Sequence, residues 1–127
     1  MAGVSFPRRL AGVVGLSGWL AFGDQLSERV SDANASLPFL LCHGTIDDKV
    51  LFSLGERARD ALKKGGHDVT WLEVDGLGHS FHPVEAKALV AFLTARLPKD
   101  APASDGKTSG VAADRVTGGA GASDTTA

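Results

Sequence analysis

Leu37-Pro38-Phe39-Leu40-Leu41-Cys42-His43-Gly44-Thr45-Ile46-Asp47 decides the fold of this chain. The stretch from Leu37 to Cys42 is apolar on both faces of an extended strand. A strand without a polar face belongs in a parallel sheet that helices cover on each side. The residues that follow, His43 to Val50, read as a loop, and they set carboxylates just past the strand's carboxyl end.

Working outward, Leu10–Leu16 (LAGVVGL) is a second short apolar run and a second strand. The polar stretch Asp24–Ser36 between the two reads as a loop with about one turn of helix. Downstream, Ser53 and Glu56 have capping-box spacing and predict a helix start. Leu54, Ala58, Ala61 and Leu62 then share one face, Lys63 and Lys64 suit the last turn, and Gly65 and Gly66 end the helix. Asp68–Val74 (DVTWLEV) alternates and predicts a third strand. A loop over 75–82 leads to Pro83, well suited to the first position of a last helix. Leu89, Leu93 and Leu97 mark the predicted buried stripe of that helix, with Ala86 and Val90 beside it. Strands alternating with helices predict an α/β fold with a parallel sheet and right-handed crossovers.

The ends differ from this pattern. Over 98–127 the only larger aliphatic side chains are Val111 and Val116, too little apolar surface to offset the entropy of ordering the segment. The expectation is a folded unit over 1–97 and a disordered tail rich in Gly, Ala, Ser and Thr over 98–127. Arg8 and Arg9 before the apolar run Leu10–Gly23 have the look of an export signal, but the run also reads as a buried strand and its turn, which is the reading taken here. No stretch is long and apolar enough to predict a membrane span. The net charge of −2 and the lack of a basic stripe argue against nucleic acid as a partner. A single cysteine, Cys42, excludes an internal disulfide and favours a reducing, cytoplasmic setting.

In a parallel α/β sheet, ligands gather beyond the carboxyl ends of the strands. Two loops lie there. One holds Asp47 and the other, Gly76-Leu77-Gly78-His79-Ser80, holds His79. An acid after one strand and a histidine after the next is the chain order in which a hydrolase triad follows its nucleophile. Alone, both residues read equally well as ordinary loop side chains.

Three segments in order resemble the phospholipase, carboxylesterase and acyl-protein thioesterase family of α/β-hydrolases. LAGVVGLSGWL (10–20) resembles that family's strand ending in a Leu-Ser-Gly-aromatic-Leu turn. LLCHGTIDDKV (40–50) resembles its CHG-x-x-D segment, with the acid at Asp47, and GLGHS (76–80) its G-x-x-HS segment, with the base at His79. SLGERARDALKKGG (53–66) resembles the helix between them. Asp48 and Leu51 stand where the family usually has prolines. The resemblance implies the C-terminal part of a hydrolase sheet. It further implies hydrolysis of carboxylic esters and thioesters, including fatty-acyl groups on proteins and lipid esters, with no cofactor and no metal.

The nucleophile is missing. A strained Gly-x-Ser-x-Gly elbow is required to expose a serine. Ser5, Ser17, Ser80 and Ser123 have glycine only two before, and Ser53 and Ser104 only two after. Ser17 comes nearest, but Trp19 takes the second glycine's place, so Ser17 reads as part of a strand-end turn. The expectation is therefore a fragment that supplies Asp47 and His79 without the serine. The competing expectation is a non-catalytic remnant acting as an interaction module, whose exposed sheet edge pairs with a partner. A metal site drawn from His43, Asp47, His79 and His82 lacks a supporting ligand spacing. Cys42 reads as inert packing, His43 as bonded to the backbone at a strand end, and His67 as a solvated loop residue.

Overall fold

The computed structural model describes residues 2–21 and 23–97; the expected tail over 98–127 lies outside them. Three parallel strands form one sheet in the order β1 (Val13–Leu16), β2 (Phe39–Gly44), β3 (Val69–Val74). The central strand pairs Leu16 with Cys42 on one side and Gly44 with Val74 on the other. Helix α1 (Ala2–Ser5) precedes β1, and a short helix α2 (Leu26–Arg29) between two 3-10 turns links β1 to β2. The long helix α3 (Phe52–Lys64) crosses from β2 to β3, and α4 (Pro83–Thr94) closes the described chain.

The double-faced apolar character of β2 follows from its central place. Phe39 packs with Leu62 of α3, and with Val4, Leu26 and Leu37, on one face. Leu40 and Cys42 pack with Phe92 of α4 on the other. The alternation of a strand's side chains thus feeds both layers. The N-terminal segment is tied to this core by buried Asn34. Its side-chain oxygen accepts from the Leu10 amide at 2.9 Å, and its nitrogen donates to the carbonyls of Phe6 and Arg8.

Two local expectations need correction. The Ser53–Glu56 capping box does not form, because α3 begins at Phe52 with Leu51 before it and no side chain capping it. The helix is entered instead through a turn that Asp47 organises, since its carboxylate accepts from the Lys49 and Val50 amides. The buried face of α4 is Glu85, Phe92 and the half-buried Ala88 and Leu89, while Val90, Leu93 and Leu97 are exposed. From Val84 to Leu93 that helix is apolar nearly all round, so periodicity gave no unique face. The Gly65–Gly66 pair ends α3 as expected, with Gly66 in the left-handed conformation at φ +86°.

The sheet delivers both candidate loops to one edge, and they approach closely. A Cβ at Gly44 would overlap the Leu77 carbonyl. Gly44→Ala should therefore push the 75–79 loop off the 44–47 loop and cost about 1–3 kcal/mol, the usual range for overpacking a tight contact. Chemical denaturation of the chain checks this. Wild-type stability in the variant would mean that the two loops do not meet as described.

Candidate active site

Asp47 follows β2 by one tight turn, and its side chain has no exposure to solvent. A buried carboxylate needs donors to stay ionised. Oδ1 accepts from the Lys49 and Val50 amides, both at 2.9 Å. Oδ2 accepts from Nδ1 of His79 at 2.8 Å. Burial, the largest single influence, pushes the Asp47 pKa up. The Val50 amide, His79 and the Lys49 amide together outweigh it and hold the group at about 2, below its ordinary 3.8.

The loop that carries His79 is laced to the Asp47 loop by the backbone. The Thr45 amide donates to the Val74 carbonyl at 3.0 Å, and the Ile46 amide to the Leu77 carbonyl at 3.1 Å. The Thr45 hydroxyl donates to Asp75 and accepts from the Gly76 amide. Gly76 itself takes φ +66°, the left-handed conformation that turns the chain back after β3. These ties fix the distance between the two loops, and thereby the distance from Asp47 to His79. An ionised acid on Nδ1 selects the tautomer with hydrogen on Nδ1, leaving Nε2 as the basic nitrogen. The ring is 44% exposed, so a reacting group can reach it from solvent.

The other candidate residues take different places. His43 is buried, and its Nε2 lies 2.8 Å from the Val50 carbonyl and 3.5 Å from Oδ2 of Asp47. His82 turns to α4: its Nδ1 accepts from the Val84 amide, and Glu85 accepts from the His82 amide at 2.7 Å, a reciprocal cap. Among the described residues, no group of three or more His, Cys, Asp or Glu is arranged to hold a metal ion. Ser17 ends β1 with φ +49°, donates its amide to the Cys42 carbonyl at 2.9 Å, and keeps its hydroxyl buried and unpartnered among the described residues. Cys42 is buried, and burial first, then the charge of Glu85, pushes its thiol up to about 11, which suits inert packing. Asp48 and Lys49 are exposed and pair with each other at 3.1 Å. His67 is not solvated: it is buried against Phe39, with Nδ1 3.2 Å from the Leu37 carbonyl.

The capping role of His82 was not foreseen in the sequence. Histidine is not among the residues that usually cap helices, so the cap was not sought there. The available signal was Pro83 followed by Glu85 at the third helical position.

Comparison with known proteins gives a consistent result. The phospholipase/carboxylesterase family matches residues 1–97. Acyl-protein thioesterase 1 of Gibberella zeae is 36% identical over 100 residues, which is 77% of this chain and 43% of that protein. Carboxylesterase SOBER1 of Arabidopsis thaliana is 34% identical over 92 residues, 72% of this chain and 40% of that protein. The crystal structure of SOBER1 superposes with a TM-score of 0.71 at 32% identity, covering 76% of this chain and 46% of that one. That of Zea mays acyl-protein thioesterase 2 gives 0.66 at 40% identity, covering 73% and 43%. The chain thus spans less than half the length of these relatives. With a parallel sheet and flanking helices that match theirs, and a family match over residues 1–97, this chain belongs to the phospholipase/carboxylesterase family of α/β-hydrolases.

Proposed function

We propose that this chain supplies the acid and the base of a serine-hydrolase triad acting on carboxylic esters and thioesters, with Asp47 as acid and His79 as base. The observation that carries the reading is the 2.8 Å contact between Nδ1 of His79 and a carboxylate with no solvent exposure. Asp47 holds the ring in one tautomer and stabilises the imidazolium that forms during turnover. His79 Nε2 takes the proton of an attacking hydroxyl, then returns it to the departing alcohol or thiol; with water as the second nucleophile it repeats the exchange.

No Gly-x-Ser-x-Gly occurs in the 127 residues, so in this reading the nucleophile comes from outside the matched stretch. Acylated proteins and lipid esters are the substrates proposed, by likeness to relatives named acyl-protein thioesterase and carboxylesterase. A second reading, an interaction module, draws on two surfaces. Val90 of α4 is 63% exposed and Leu97, just past that helix, 55%, and β1 has a strand on only one side among the described residues.

The isolated chain should hydrolyse short aryl esters no faster than background, since loss of the nucleophile costs on the order of a million-fold in serine hydrolases. A serine-directed fluorophosphonate should leave Ser17 unlabelled. Joined to a segment that carries an elbow, the chain should gain turnover. His79→Ala should then abolish it, and Asp47→Asn should lower kcat by about four orders of magnitude. Turnover that survives both substitutions would leave the interaction-module reading standing.

The depressed pKa of Asp47 has a separate consequence for stability. A group whose folded pKa is lowered stabilises the fold above its ordinary value, and that contribution is lost as pH falls through the folded value. For Asp47 the window runs from 3.8 down to about 2. Denaturation midpoints should fall across that window in the wild type. Asp47→Asn should flatten this limb; an unchanged slope in the variant would show that Asp47 titrates normally.

A further inference from the structure

We infer that His43 is the positioning residue that locks the acid in place. The inference rests on the reading of Asp47 and His79 as triad members, and it gives a task to a buried histidine that this reading leaves unused. The Val50 carbonyl can only accept, so the His43 nitrogen 2.8 Å away carries the proton. Val50 is thereby held at both ends. Its amide donates to Oδ1 of Asp47 at 2.9 Å, and its carbonyl accepts from His43. The same Nε2 atom lies 3.5 Å from Oδ2, the oxygen that accepts from His79. The turn from Asp47 to Val50 therefore has no freedom to swing the carboxylate away.

The ring of His43 is itself fixed. It stacks on Trp71, with centroids 6.4 Å apart and planes at 29°, and meets the edge of Phe52 at 5.9 Å. Gly55 of α3 lies against the remaining nitrogen: a Cβ there would overlap Nδ1 of His43. Helix α3 and strand β3 thus grip the ring, and the ring grips the acid's turn. A ring needed only to fill space would make these apolar contacts without aiming a donor at Val50. Positions 43 and 55 are separate handles on one device.

The test uses the chain as it exists and reads amide exchange by NMR. His43→Leu keeps apolar bulk and removes the donor. His43→Gln keeps an N–H at nearly the same reach. In His43→Leu, protection of the Lys49 and Val50 amides should fall at least about tenfold, while Leu40 and Leu41 in β2 stay protected. His43→Gln should restore most of it, and Gly55→Ala, which displaces the ring, should reproduce the loss. Unchanged protection at Lys49 and Val50 in a folded His43→Leu would overturn the inference. If His43→Leu does not fold, a folded His43→Gln that loses protection there would overturn it instead. The imidazole nitrogen shifts of His79 separate this result from the triad reading. Should Asp47→Asn leave the His79 tautomer unaltered while the exchange pattern holds, the triad reading fails and the His43 clamp stands.

Discussion

A carboxylate without access to water must be given donors or surrender its charge. Asp47 meets that requirement with two backbone amides on one oxygen and one imidazole on the other. The amides are those of the two residues that lead the chain from β2 toward α3. The same contacts therefore shape the entry to the helix and hold the acid ionised. Removing the carboxylate would unpair two amides and untie His79 at once.

The geometry depends on the parallel sheet in two steps. Parallel pairing brings the carboxyl ends of β2 and β3 side by side, with Gly44 opposite Val74. The loops that leave those ends then bond to each other through Thr45, Ile46, Val74 and Leu77. A glycine at position 44 permits the approach, because any side chain there would meet the Leu77 carbonyl. The distance from Asp47 to His79 is set by backbone contacts and is not left to two free side chains. For a catalytic pair this is preorganisation, since the geometry exists before any substrate arrives.

The strand and helix order and the two loops were legible in the sequence, because an apolar run on both faces and an alternating run have few other interpretations. Position along such a sheet then pointed to the two loops, and the family resemblance singled out Asp47 and His79 within them. What was not legible lay where local rules compete or patterns saturate. Ser53 and Glu56 satisfied a capping rule, but Asp47 had already organised the turn before them. In α4, apolar residues on every side hid the face that Phe92 and Glu85 define. His67 looked solvated after a glycine pair, yet it is buried edge-on against Phe39. Short helix α1 carried no periodicity long enough to read, although its Val4 joins the main core. The role of His43 needed three dimensions, because its partners Gly55 and Trp71 come from different elements.

In the proposed role, buried, ionised Asp47 holds His79 in a single tautomer ready to accept a proton. The imidazole nitrogen chemical shifts of His79 in the intact chain near neutral pH test this directly. A protonated Nδ1 beside an unprotonated Nε2, lost on Asp47→Asn, is the expected outcome. Averaged nitrogens in the wild type, or a pattern unaltered by Asp47→Asn, would contradict it.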